Sequence, residues 1–337
     1  MRPCSSAGIN LTWKCNFRCI FCFYRDFPEL ENGKDRRFGD IIKEIFAAKK
    51  RGCKNIVFIG YGEPTLYKKL LEVIDYCSSL QLKTSIITNG STGIHLIEKL
   101  YSNGLNHILF SVHGLGEIIN EISCNADASK KQREVKDWLK KNNLPFRTNT
   151  TFQLKNYCFL EEIIEDCINS GARHIILLGF LPHYHWHNKL REVAVHPKEL
   201  RPHIEKSADL LISAHKYFTI RYFPFCHLSW EYWKYVVNAR YILFDPWEWD
   251  YGYYSQDLEE VWRHALEMGE SVAIQGKPCS DCLMRLHCGG WNRIYASGFG
   301  GAGLTPITDI PEEYKDVADK RGGLHDLNPA NSLEGYI

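Results

Sequence analysis

Along the first half of the chain, short β-rich runs alternate with amphipathic helical patterns. Strands are predicted over residues 8–13, 55–61, 83–89, 107–113, 146–152 and 174–180, where β-branched and aromatic residues cluster between turn formers. Between them, Phe38, Ile41, Ile42, Ile45 and Phe46 fall on one helical face, as do Leu160, Ile163, Ile164, Cys167 and Ile168. Gly52, Gly104 and Gly171 close three of the helical patterns, where a left-handed cap is favoured. Strands alternating with helices predict a parallel α/β sheet. Six such units, with no nucleotide-type glycine loop after the first strand, predict a partial (β/α)6 TIM-like barrel rather than a doubly wound sheet. In barrels of this kind the chemistry sits on loops at the carboxyl ends of the strands.

After Phe180 the texture changes. His183, His185 and His187 lie in an aromatic loop, a helix is predicted from about Lys198 to His215, and residues 217–254 are dense in Tyr, Trp and Phe. We therefore expect a barrel over 1–216, a small second domain over 217–303, and a polar tail over 304–337. Hydrophobic residues at 45% allow a sizeable core and exclude a disordered chain. Forty-one Lys and Arg against 40 acidic residues leave no global charge to draw nucleic acid or an anionic membrane. No basic-then-apolar signal opens the chain, and the longest apolar run, near Ile175–Leu178, is too short to span a bilayer. A cytoplasmic protein is expected.

Thirteen cysteines then change the picture, because in a reducing compartment grouped cysteines read as metal or redox ligands. Cys4, Cys53, Cys77, Cys124, Cys158 and Cys167 are scattered, and Cys77 and Cys167 sit on apolar helix stripes as small core hydrophobes. Cys15, Cys19 and Cys22 follow the first strand directly, at C-x3-C-x2-C spacing. Three thiolates suit three irons of a cubane whose fourth iron stays open. A structural zinc site wants a fourth nearby Cys or His, and that loop has none. A second group, Cys279, Cys282 and Cys288, precedes Gly289 and Gly290.

The first group, with Phe21 before its last cysteine, resembles the signature of the radical S-adenosylmethionine (radical SAM) superfamily. Gly62, Glu63 and Pro64, after the second strand, are similar to that family's Gly-Gly-Glu-Pro motif, with Tyr61 in place of the first glycine. Asn89, Ser111 and Asn149 match positions that line the cofactor in similar enzymes. The resemblance implies a [4Fe–4S] cluster on Cys15, Cys19 and Cys22, whose open iron is completed by S-adenosylmethionine. It implies that Glu63 accepts a hydrogen bond from the cofactor's ammonium and that Phe21 packs near the adenine. Ser111 and Asn149 would reach the ribose hydroxyls or the carboxylate, and the backbone near Leu178 would face the adenine. Reductive cleavage to a 5′-deoxyadenosyl radical and hydrogen abstraction from a polar metabolite or peptide would follow.

The second group resembles the cluster-binding region of the SPASM and twitch subfamilies. Where the larger SPASM pattern has a further cysteine, this chain has Asn292, which implies one auxiliary [4Fe–4S] cluster, with Cys226 as the remaining ligand. An electron donor such as flavodoxin or ferredoxin is implied too. With 14 residues before Cys15, no leader-peptide recognition module is expected ahead of the barrel. Trp247, Trp249, Tyr251, Tyr253 and Tyr254 are expected to shield a cluster, Asp245 and Asp250 are candidates for polar substrate contacts, and His113 stands near the active strand ends. Which group serves as catalytic acid, base or hydrogen donor is not legible. The rival reading is a zinc-stabilised binding or regulatory protein. It explains the cysteines but not Glu63 and its flanks at the next strand end.

Overall fold

The computed structural model describes residues 6–22, 24, 27–28, 32–182, 189–237, 273–285, 288–301 and 303–315. Cys4, the three histidines of 183–187, and Asp245, Trp247, Trp249, Asp250, Tyr251, Tyr253 and Tyr254 lie outside the described residues.

All six predicted strands form, and each is followed by helix: β1 (Ser6–Asn10), α1 (Phe38–Lys50), β2 (Asn55–Ile59), α2 (Leu70–Ser79), β3 (Lys83–Thr88), α3 (Ile94–Ser102), β4 (His107–Ser111), α4 (Gly116–Ser123), α5 (Ala128–Lys141), β5 (Phe146–Thr151), α6 (Leu160–Asn169), β6 (His174–Leu178), α7 (Leu190–Val193) and α8 (Pro197–Ser213). The strands end one to three residues short of their predicted limits, and β1 begins two residues early at Ser6. Gly52, Gly104 and Gly171 take φ of +94°, +97° and +89°, the left-handed conformation expected after α1, α3 and α6.

The sheet does not stop at six strands. β7 (Tyr217–Arg221) pairs parallel with β6, and the two-residue β8 (Val236–Val237) pairs parallel with β7, giving the order β1 to β8. β7 thus joins the barrel from beyond the expected boundary at 216/217. Its alternation was hidden in the aromatic run, yet Phe218 and Ile220 are buried among the same helices as the other strands. No pairing joins β8 to β1 among the described residues, so the barrel is open and partial.

Alternation along each strand sorts the two faces of the sheet. Ile56, Phe58, Ile86, Ile108, Phe110, Phe146, Ile175, Leu177, Phe218 and Ile220 pack outward with Ile41, Val73, Ile97, Ile163 and Ile204 of the helices in one core. Ser85, His107, Leu109, Ser111, Arg147, Asn149, His174, Ile176, Leu178, Thr219 and Arg221 therefore point to the inside of the barrel. Beyond the barrel, β9 (Ala273–Ile274) pairs antiparallel with β10 (Trp291–Asn292), and α9 (Arg293–Gly298) follows. No helix among the described residues is long and apolar enough to cross a membrane.

Candidate active site at the carboxyl end of the barrel

The cysteine loop leaves β1 and is held by chain far away in sequence. Thr12 and Lys14 bind the two carboxylate oxygens of Asp35 at 2.7 and 2.8 Å. The N–H groups of Arg18 and Ile20 donate to the carbonyls of Ser123 and Ile122 at 2.8 and 2.9 Å. A turn closed by Cys22 N–H on the Cys19 carbonyl brings the last two thiols round. Phe17, Ile119 and Ala128 form a small core of their own, against which Cys15 and Cys19 pack. Burial pushes the Cys15 thiol up to about 12, with the charges of Glu63 and Cys22 adding to the effect. Cys19 is pushed up by burial and then by Cys22, Cys15 and Cys124. Cys15 and Cys19, each pushed up by burial and by the Cys22 charge beside them, form with Cys22 a donor set that cationic iron would relieve, so these residues fit a cluster.

Glu63 stands beside them. Gly62 lets this happen, since a Cβ there would meet the Lys14 carbonyl oxygen at 2.0 Å, a clash of backbone that cannot be moved aside. The cysteine loop and the β2 loop are joined at that contact: Gly62 N–H donates to Thr12 O and Glu63 N–H to Lys14 O. Pro64 occupies the first position of a short 3-10 turn capped by Glu63. The Glu63 carboxylate, 2% exposed, accepts four hydrogen bonds. Oε1 takes the Thr65 N–H, the Thr65 hydroxyl and the Thr88 hydroxyl at 3.2, 2.7 and 2.7 Å. Oε2 takes the Asn89 N–H at 2.8 Å, which leaves Oε2 one lone pair for a further donor. Burial raises the Glu63 pKa despite these bonds, so an incoming ammonium would meet an under-solvated carboxylate.

The residues expected to line a cofactor divide into two kinds. Ser111 and Asn149 face each other across the β4–β5 register on the inner face, and neither side chain bonds another described residue. Asn89 is fully engaged: its side chain joins Asn16 and the Ser91 N–H, its N–H goes to Glu63, and its carbonyl accepts from Gln132. It braces the loops instead of presenting free groups. The Leu178 carbonyl is likewise taken by the Phe152 N–H, leaving the inward side chain as its contribution. Phe21 meets the His113 ring edge-on at 4.7 Å. The Thr151 N–H donates to His113 Nδ1, which places the imidazole proton on Nε2, and burial holds this ring neutral down to about 3.

Several residues of the site were not read from the sequence. Gln132, buried on α5, donates to the carbonyls of Asn89 and Ser111 at 2.7 and 3.0 Å and ties β3 to β4. Asn16 binds Ser91 and Asn89, and Asn156 bridges the carbonyls of His113 and Thr151. Trp13 stacks on Tyr61 with centroids 4.0 Å apart, which gives the residue in the motif's first position a packing role. Asn16 and Asn156 are single polar loop residues, Gln132 a polar residue within α5 and Trp13 one aromatic among many, and each of these signals is too frequent to single out a site.

The second cysteine group assembles from three segments. Cys226 lies in a 3-10 turn after β7, Cys279 in the turn Lys277–Asp281, and Cys282 caps that turn. Burial pushes Cys226 up to about 12, with the charges of Cys288, Cys279 and Cys282 following. Burial pushes Cys288 up to about 11. Backbone N–H groups of Gly290 and Ile307 approach the sulfurs of Cys288 and Cys282 at 3.3 and 3.4 Å, contacts that suit thiolates. Asn292 serves as the N-cap of α9, accepting from the N–H groups of Ile294 and Tyr295. Among the described residues no three His, Cys, Asp or Glu side chains are drawn tightly enough to hold a single metal ion; a cubane spreads its thiolates over a wider cage.

Residues 9–167 match the Radical SAM superfamily. A "Probable GTP 3',8-cyclase" of Sulfurisphaera tokodaii is 26% identical over 212 residues, 60% of this chain and 67% of its own. The PqqA peptide cyclase of Bradyrhizobium diazoefficiens is 26% identical over 186 residues, 54% of this chain and 48% of its own, so the match spans about half of that protein. Among solved structures, native anSMEcpe with bound AdoMet and Cp18Cys peptide superposes with a TM-score of 0.62 at 15% identity, over 98% of this chain and 100% of that one. At that identity the likeness is one of fold.

Proposed function

Since the chain belongs through residues 9–167 to the radical SAM superfamily, we propose that it binds a [4Fe–4S] cluster on Cys15, Cys19 and Cys22 and S-adenosylmethionine beside it, and abstracts hydrogen from a peptide side chain. The observation that carries this reading is the contact of the β1 and β2 loops, which sets three enclosed thiols next to a buried carboxylate with one acceptor position left. When bound, the cluster and S-adenosylmethionine supply the electron and the 5′-deoxyadenosyl radical; the protein positions and shields them. Glu63 Oε2, on a buried carboxylate with one acceptor position left, would hold the ammonium through a charge-assisted bond. Ser111 and Asn149 offer the free polar groups of the inner face, and His113 keeps Phe21 edge-on as a wall. Cys226, Cys279, Cys282 and Cys288 would hold one auxiliary [4Fe–4S] cluster, which would supply redox chemistry beside the substrate. Asn292, being a helix cap, adds no thiolate for a second.

The full-length fold likeness to an enzyme with bound peptide, together with the match to a peptide cyclase, supports a peptide substrate. The match to GTP 3',8-cyclases supports a nucleotide as the second reading. Anaerobically prepared protein should contain about eight irons and eight sulfides and release 5′-deoxyadenosine under reductant. Replacing Cys15, Cys19 and Cys22 with Ala should remove half the iron and all cleavage. Replacing Cys279, Cys282 and Cys288 should remove the other half and leave some cleavage. Stoichiometric zinc without iron after reconstitution would transfer the case to a zinc-stabilised binding protein. Peptide pools and nucleotides added separately would show which class stimulates 5′-deoxyadenosine release.

A further inference from the structure

At the opposite end of the barrel, the inside of the sheet carries a cation with no counter-ion among the described residues. Arg147, the second residue of β5, points inward beside His174 of β6 and Leu109 of β4. Its one hydrogen bond runs from Nη2 to the Ser85 hydroxyl at 3.2 Å, and its Nε has no partner. No carboxylate among the described residues pairs with it. Burial, with the nearby charge of Arg221, pulls even this guanidinium down to about 10. His107 sits in the register next to Ser85, 5% exposed, with both ring nitrogens unpartnered. His174 is 6% exposed and meets Thr219 Oγ1 through Nε2 at 3.2 Å.

Arg147 as a whole is half-buried, but its Nε is shut away from solvent without a partner, and buried polar atoms are almost always hydrogen-bonded. The surroundings offer no relief. Burial and then the positive charges of Arg147, Arg173 and Lys83 hold His107 down to about 4. Residues 51–54, 80–82, 103–106, 142–145, 170–173 and 214–216, which lead into β2 to β7, contain no Asp or Glu. The basic residues of this rim also complement the helix carboxyl ends gathered there. That explanation does not reach Arg147 and His107, which stand on strands inside the sheet.

We propose that the amino-terminal end of the barrel interior is a binding site for a small oxyanion, held by the Arg147 guanidinium, the Ser85 hydroxyl and the His107 ring. An anion there would satisfy Arg147 Nε and one His107 nitrogen together, in the planar fork geometry at which arginine excels. Phosphate and carboxylate oxygens share this chemistry. The site is separate from the cysteine loops, so its occupancy does not depend on cluster or cofactor.

The test is calorimetric titration of the iron-reconstituted protein with inorganic phosphate and, separately, with acetate, alongside histidine-ring NMR. Saturable phosphate binding with movement of the His107 signals is expected. Arg147→Gln should weaken it about ten- to a hundred-fold, the equivalent of one charge-assisted hydrogen bond, while Lys83→Gln and Arg173→Gln on the rim should leave it within about twofold. Tighter acetate than phosphate would assign the site to carboxylates. If Arg147→Gln does not fold, the His107 signals of the unmodified protein still decide the matter. Absence of saturable binding to both anions, or binding lost in the rim variants with His107 unmoved, would overturn the proposal.

Discussion

Glu63 shows how one side chain is asked to serve two structures at once. Its Oε1 gathers three donors that fix the β2 and β3 loops, and its Oε2 keeps one lone pair beyond the Asn89 N–H. Glu63→Gln keeps the shape but removes the negative charge and turns one oxygen into an amide donor, which would face the Asn89 N–H and the cofactor's ammonium at the Oε2 position or the Thr65 N–H at the Oε1 position. We expect S-adenosylmethionine affinity to fall about ten- to a hundred-fold, the loss of about 1.5–3 kcal/mol, with both clusters retained; equilibrium binding on the reconstituted protein checks this. Unchanged affinity would remove Glu63 from the cofactor. Glu63 was legible because Gly-Glu-Pro is a pattern local in sequence. Thr65, Thr88, Asn16 and Gln132 were not, because each works only through partners that the fold brings near. Asn89 is expected by position to line the cofactor, yet its groups brace loops, a distinction that spacing does not carry.

At the scale of elements, the helices and the six strands were written in local periodicity, and their caps in three glycines. β7 was missed because its short alternation lies in a run so aromatic that both faces look buried. The turn after it carries Cys226, which is enclosed with three cysteines more than fifty positions later in the chain. Cys226→Ala should leave an auxiliary cluster that is labile or decays to a three-iron form, with the first cluster and its cleavage of S-adenosylmethionine intact. Iron content and electron paramagnetic resonance of the anaerobic variant would show it. A full and stable auxiliary cluster in that variant would mean an open iron there and direct ligation of substrate.

Across the whole molecule, buried imidazoles set the response to acid. Burial holds His113 down to about 3, His107 down to about 4, and His174 well below its ordinary value. Each stays neutral when folded but takes up a proton on unfolding below about pH 6.5. The unfolded chain then binds more protons, so stability is complete above that pH and is lost as pH falls toward the folded values, at about 1.4 kcal/mol per pH unit for each ring. Glu63, raised by burial, acts in the opposite sense. Denaturant titrations between pH 7 and 5 should show this loss, and His174→Gln should reduce the slope by about one proton; an unchanged slope would mean that His174 titrates normally when folded. The ties that hold the cysteine loop also carry a timetable. Asn16 is fixed by Ser91, 75 residues on, and by Asn125, 109 residues on, while Arg18 and Ile20 hang on Ser123 and Ile122. Closing loops of that length is slow relative to local structure. The cysteine loop is therefore among the last parts of the barrel to set, and until those distant partners arrive its three thiols stay open to whatever delivers iron.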